Sequence, residues 1–124
     1  MNVLCVDQDR TKLRQMKRDA KEIVPDACIA ACRDPSRAER LTREKGCDVL
    51  LTDTVFDGFS LDGTMLAEQI QRVNPNVNII FVTDHADTSA AYSAWELGAS
   101  AFLLRPYEKQ RLAKAFVDPR FASV

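Results

Sequence analysis

The chain is poor in histidine. His85 is the only one, and it lies far in sequence from all four cysteines, Cys5, Cys28, Cys32 and Cys47. No two of these cysteines form a C-x-x-C pair. That spacing argues against a zinc site and for small, buried, reduced thiols. Long apolar runs are also missing, with none near the roughly 18 to 20 residues of a spanning helix, so no membrane association is expected. The opening Met1-Asn2-Val3-Leu4-Cys5-Val6-Asp7 has no basic region and meets an acid at once, unlike a secretory signal. The expected location is cytoplasmic. Neither sign of charge is in excess: 17 Lys and Arg face 18 Asp and Glu. A dedicated nucleic-acid surface usually shows a basic surplus, so direct nucleic-acid binding by this domain is not expected. There is no internal repeat and no low-complexity tract.

What is present suits one globular domain: 124 residues, 46% of them hydrophobic and 28% charged. Charge is unevenly placed. Between residues 51 and 104 a single basic side chain, Arg72, faces Asp53, Asp57, Asp62, Glu68, Asp84, Asp87 and Glu96. A cation or a basic partner is thinkable there, although ordinary solvated acids explain the composition equally well.

Two periodicities alternate. Short apolar runs at Val3–Val6, Ala27–Cys32, Val49–Leu51, Val77–Val82 and Ala101–Leu104 read as strands buried on both faces of a parallel sheet. Between them lie amphipathic stretches of helix length. The first covers about 10–24, with Leu13, Met16, Ala20 and Ile23 on one stripe and Pro25 as its stop. The second starts at Asp34-Pro35 and ends at Gly46. The third covers about 62–74, the fourth about 86–97 and the fifth about 108–117. On the fourth, Ala91, Ala94 and Trp95 are expected to pack inward, with Tyr92 and Glu96 outward. The order βαβαβαβαβα predicts an α/β domain with helices on both faces of one parallel sheet. The domain is expected over 1–117, with 118–124 a tail or the start of a linker to an effector.

In open sheets of this class, sites form at the carboxyl ends of the strands, beside a switch in strand order. After the predicted strands come Asp7-Gln8-Asp9, then Asp53, then Thr83-Asp84, then Arg105-Pro106. Carboxylates held close together repel unless a cation relieves them, and magnesium prefers such oxygen ligands. A cation beside Asp53 would neutralise a phosphoryl donor and hold it in line with a carboxylate nucleophile. Thr83 can donate to one phosphoryl oxygen and the Arg105 fork to another.

The segments Val3-Leu4-Cys5-Val6-Asp7, Asp48-Val49-Leu50-Leu51-Thr52-Asp53, Ile79-Ile80-Phe81-Val82-Thr83 and Gly98-Ala99-Ser100-Ala101-Phe102-Leu103-Leu104-Arg105-Pro106-Tyr107 together resemble a bacterial response-regulator receiver domain over nearly the whole chain. The resemblance implies a flavodoxin-like (βα)5 doubly wound sheet with strand order 2-1-3-4-5. It implies a two-component signalling domain and not an enzyme in the usual sense, beyond self-phosphorylation and self-dephosphorylation. By position, Asp53 resembles the phosphoacceptor, Thr83 the switch hydroxyl and Phe102 the switch aromatic. Asp7, Asp53 and the Val55 backbone carbonyl resemble the magnesium ligands. The implied partners are a sensor histidine kinase and a downstream effector, with a possible homodimer through the fourth helix, fifth strand and fifth helix. The resemblance also implies a cis Arg105-Pro106 bond.

Several positions depart from the family's pattern. The second acidic-pair position is Gln8, so Mg2+ loses one anionic ligand and Gln8 or Asp9 becomes the possible further donor. The lysine expected after the fifth strand is Arg105, which could pair with Asp53 in the unmodified state. The proline expected four residues after the acceptor is Asp57, and the Asp-Gly pair beyond it comes late, as Asp62-Gly63. These departures keep open a phosphorylation-independent pseudo-receiver that acts only as an interaction module. A more distant alternative is a haloacid-dehalogenase-like phosphohydrolase. Asp7-Gln8-Asp9-Arg10-Thr11 fits its D-x-D-x-T pattern, with Asp7 as nucleophile and Asp9 as acid/base.

Overall fold

The computed structural model describes residues 1–117. The expected tail over 118–124 lies outside the described residues. Within them, strands and helices alternate: β1 (Asn2–Val6), α1 (Arg10–Ile23), β2 (Cys28–Cys32), α2 (Ala38–Lys45), β3 (Val49–Thr52), α3 (Gly63–Val73), β4 (Asn78–Thr83), α4 (Thr88–Glu96), β5 (Ala101–Leu104) and α5 (Lys109–Val117). All strand pairs are parallel, in the order β2-β1-β3-β4-β5. This is the expected flavodoxin-like sheet. From β1 the chain turns to β2 on one side and then returns to β3 on the other. The crevice of an open sheet therefore falls at the carboxyl ends of β1 and β3.

Successive strand residues point to opposite faces. Val3, Cys5, Val49, Leu51, Ile80, Val82 and Leu103 share a core with Leu13 and Met16 of α1 and Leu112 and Phe116 of α5. Leu4, Val6, Leu50, Ile79 and Phe81 share the other core with Ala38 of α2, Leu66 and Ile70 of α3, and Ala94 of α4. Both faces are covered, which is why the strands are apolar at nearly every position.

Aspartates start the helices. Asp9, Asp62 and Asp87 accept backbone N–H groups at the first turns of α1, α3 and α4. Asp34 does the same for a 3-10 turn at Pro35–Arg37 that leads into α2. Two acids of the acidic middle stretch, Asp62 and Asp87, are thus caps, which satisfy otherwise unpaired helix donors.

Two expectations are corrected. Trp95 does not pack inward: it is 73% exposed and lies against Tyr92, ring centroids 5.9 Å apart. On α4 Ala94 is buried and Ala90 and Ala91 are half-buried, with Leu97 beyond its end packed on the same core, which leaves Trp95 on the rim at the i, i+3 spacing from Tyr92. Of the cysteines, Cys5, Cys32 and Cys47 are buried but Cys28, at the start of the edge strand β2, is exposed. Burial pushes the Cys5 and Cys47 thiols up to about 12.

Candidate functional site

Sheet register brings the four strand-end residues to one rim. Val6 is level with Thr52, so Asp7 and Asp53 leave adjacent strands side by side, and the Asp53 amide donates to the Val6 carbonyl at 3.1 Å. Thr83 is level with Leu104, and the Arg105 amide donates to the Thr83 carbonyl at 2.8 Å. A cleft of about 540 Å³ opens above, lined among others by Asp7, Gln8, Asp9, Lys12, Asp53, Val55, Asp57, Asp84 and His85.

Asp7 is the buried anion of this rim, 1% exposed. Its Oδ1 accepts the Asp9 amide at 2.9 Å and its Oδ2 accepts Arg105 Nη2 at 3.0 Å. Burial, helped by repulsion from Asp53, holds its carboxyl above the ordinary range against the opposing pull of the Asp9 amide and Arg105. Asp53 is half-buried, and its Oδ1 accepts the Thr54 amide at 2.7 Å.

The expected Arg105 pairing is corrected: among the described residues the carboxylate partners of the guanidinium are Asp7, at 3.0 Å, and Asp84, at 3.9 Å from Nη1, and not Asp53. Asp7 is the deeper and less solvated anion, so the cation goes where desolvation leaves most to neutralise. Nη1 is buried and makes no hydrogen bond among the described residues. The Arg105-Pro106 bond is cis, as expected.

Thr83 is fully buried. Its hydroxyl shares a 2.9 Å hydrogen bond with the Thr54 hydroxyl and accepts the His85 amide at 3.1 Å. Phe102 is half-buried, its ring 6.1 Å from that of Phe81, its register partner on β4.

Gln8 and Asp9 line the cleft, but their functional groups are engaged elsewhere. Gln8 Nε2 donates to the Asp57 carbonyl at 2.7 Å, and the Asp57 amide donates to Gln8 Oε1 at 2.6 Å. Asp9 accepts the Lys12 amide at 3.0 Å as the cap of α1, which lowers its carboxyl. An acid/base role for Asp9 would compete with that cap.

Three features escaped the sequence reading. Thr54 is the partner of the Thr83 hydroxyl. Lys12 forms an ion pair with Asp84 that raises the amine and lowers the acid, so a second cation stands beside Arg105. Gly63 lies against the Asp53 backbone, as argued below. Asp84, adjacent to Thr83, and Gly63, in the late Asp-Gly pair, carried a visible signal, but their contacts did not.

The raised carboxyl of Asp7 has a testable consequence. A folded-state pKa above the unfolded one contributes stability that is lost as pH rises through the folded value. An Asp7→Asn variant should therefore gain on the parent protein between about pH 4 and about pH 7.5 in urea unfolding. Equal differences at both pH values would overturn that assignment.

The receiver-domain model of response regulators matches residues 3–117. The transcriptional regulatory protein LiaR of Bacillus subtilis is 32% identical over 116 residues, 93% of this chain and 54% of LiaR. The DNA-binding transcriptional regulator NtrC of Klebsiella pneumoniae is 39% identical over 71 residues, 57% of this chain and 14% of NtrC. This chain thus corresponds to only part of these regulators. A response regulator receiver domain protein from Clostridium thermocellum shares the fold with TM-score 0.83 at 22% identity, covering 98% of this chain and 95% of that one. The isolated REC domain of RcsB from Salmonella enterica serovar Typhimurium, solved in the presence of the phosphomimetic BeF3-, gives TM-score 0.80 at 22% identity, covering 94% and 85%.

Proposed function

The chain belongs to the response regulator receiver domain family, and on that premise we propose that Asp53 accepts a phosphoryl group from the phosphohistidine of a sensor kinase. An Asp53 carboxylate oxygen forms a new bond to phosphorus. The phosphorus–nitrogen bond breaks, and its electron pair leaves with the imidazole, which takes up a proton from solvent. The observation that carries this reading is the convergence of Asp53 with Asp7, Thr83 and Arg105 at one rim. Arg105 Nη2 stays on Asp7, and the buried Nη1, which makes no hydrogen bond among the described residues, supplies a donor for a phosphoryl oxygen.

The donors facing the cleft are oxygens of the kind a hard divalent cation takes: the Asp7 and Asp53 carboxylates, with Val55 on the same wall to offer its carbonyl. These residues would hold Mg2+, which when bound supplies neutralising charge for the incoming phosphoryl group. Asp7 and Asp53 are then the two anionic ligands, one fewer than a site with an acid at position 8.

For the switch, the Thr83 hydroxyl exchanges Thr54 for a phosphoryl oxygen. That exchange biases a pre-existing equilibrium at the end of β4, and Phe102, packed on Phe81 of the same strand, repacks with it. The output surface is the face of α4, β5 and α5, where Tyr92, Trp95 and Leu104 are exposed. It serves an effector or a second copy. Self-dephosphorylation by water returns the site to its resting state.

The test is incubation with magnesium and acetyl phosphate, read by intact mass. The expected result is one added phosphoryl group in the parent protein and none in Asp53→Asn. An unmodified parent protein would overturn the phosphoacceptor reading in favour of a phosphorylation-independent interaction module, for which the neutralising Arg105–Asp7 pair already provides a stable resting site.

A further inference from the structure

Gln8 stands where an acidic ligand is expected, yet its carboxamide lies against the backbone N–H and C=O of a residue 49 positions away. The two bonds are reciprocal and short: Nε2 to the Asp57 carbonyl at 2.7 Å, and the Asp57 amide to Oε1 at 2.6 Å. They close a ring between the turn that follows β1 and the loop over residues 53–62. Residue 8 is itself held from the other side, since Arg33 Nε donates to the Gln8 carbonyl at 3.0 Å. The loop is anchored next to the ring by Phe56, buried in the core shared with α3. The far side of the loop is held by the Gly63 amide on the Thr54 carbonyl at 2.9 Å.

Both partners of this ring are the unusual residues of the chain. A primary amide has one acceptor and one donor end, which match a peptide N–H and C=O. A carboxylate has no donor for the carbonyl. A proline at 57 would have no N–H for Oε1. The two departures at 8 and 57 are therefore chemically complementary, and either one alone would leave the ring half made.

We propose that Gln8 is a positioning residue and not a cation ligand: its amide clasps the backbone N–H and C=O of Asp57 and fixes the 53–62 loop, and with it Asp53 and Val55, relative to Asp7. The clasp ties the two cleft-forming loops together whether or not a cation is bound. Its consequence for phosphoryl transfer rests on the reading of Asp53 given above, but the clasp itself does not.

The experiment is amide hydrogen exchange and NMR on the full chain. In Gln8→Ala the Asp57 amide should exchange about tenfold faster, the protection an ordinary hydrogen bond confers. In Asp57→Ala both backbone groups are kept, so the residue 57 amide should stay protected and the Gln8 side-chain amide signals should hold their positions. Added magnesium chloride should leave the Gln8 side-chain amide in contact with residue 57. Unchanged exchange in Gln8→Ala, or loss of residue 57 protection when magnesium is added to the parent protein, overturns the proposal. Beryllofluoride separates the two readings. No response at Asp53 removes the phosphoacceptor assignment while the clasp stands, and a response at Asp53 with no Gln8 effect on Asp57 does the reverse.

Discussion

Arg105→Met should lower the unfolding free energy by about 3–5 kcal/mol at neutral pH, the range for removing one partner of a buried ion pair. Arg105 is 15% exposed at its side chain and Asp7 is 2% exposed, so the pair has little water to fall back on. Methionine keeps much of the apolar stem but leaves the Asp7 carboxylate facing Asp53 with no guanidinium between Asp7 and the neighbouring Asp84. Lysine at this position keeps the charge without the fork, and Arg105→Lys should recover most of the loss. In an Asp7→Asn background the methionine penalty should shrink, because no buried carboxylate is left unpaired. Urea unfolding of the four proteins checks this as a double-mutant cycle. A loss below about 1 kcal/mol for Arg105→Met would class the contact with exposed pairs and overturn the account.

The fold was legible because its signals are local and repeated. Apolar runs of strand length alternate with 3.6-period stretches, and an aspartate stands at each of several helix starts, so element order follows from the chain alone. That Asp7, Asp53, Thr83 and Arg105 lie along one rim was legible for the same reason, since each ends or follows a strand of one parallel sheet, although Thr83 and Arg105 are not among the residues that line the cleft with Asp7 and Asp53. Side-chain partners at the rim were not legible. Whether Arg105 pairs with Asp53 or Asp7 depends on which carboxylate is deeper, a property of the assembled sheet. The Gln8–Asp57 ring joins a side chain to a backbone group, so residue type at 57 gives no positive sign of it. Trp95 misled because α4 is short and rich in alanine: with small residues around much of the helix, three-residue and four-residue spacings fit more than one inward face.

These rim contacts share one electrostatic logic. A site with three acids around a cation must be loosely held until the cation arrives, because like charges a few ångströms apart repel. Here the neutral Gln8 takes one position, Arg105 offsets Asp7, and Lys12 offsets Asp84. The resting cleft is thereby held by protein groups, and a cation has less repulsion to relieve on binding. On the proposed reading, magnesium affinity should be lower than in a site with an acid at position 8, while the resting cleft stays ordered by the Gln8, Arg105 and Lys12 contacts.

Gly63→Ala should cost about 3 kcal/mol, the upper end of the usual overpacking range. The reason is contact and not backbone conformation, since the positive-φ glycines are Gly46, Gly58 and Gly98. A Cβ on Gly63 would overlap the Asp53 carbonyl oxygen and lie 2.7 Å from the Thr54 Cα and 2.9 Å from the Asp53 carbonyl carbon. Every one of these atoms is backbone at the end of β3, so none can swing aside as a side-chain tip would. Relief requires either lifting the start of α3 away from the sheet, which breaks the 2.9 Å bond from the Gly63 amide to the Thr54 carbonyl, or moving the Asp53 peptide itself. The second route displaces Asp53, the proposed acceptor, so the yield of acetyl phosphate adduct should fall along with stability. Gly58→Ala is the control within the same loop: φ is +83° but no atom lies within 4 Å of the added carbon, so only the conformational penalty of about 1 kcal/mol applies. Urea unfolding of the two variants, with adduct mass measured on each at a temperature where both are folded, checks the prediction. If Gly63→Ala proves no more costly than Gly58→Ala, the close approach of α3 to the Asp53 backbone is not what fixes Asp53 in place.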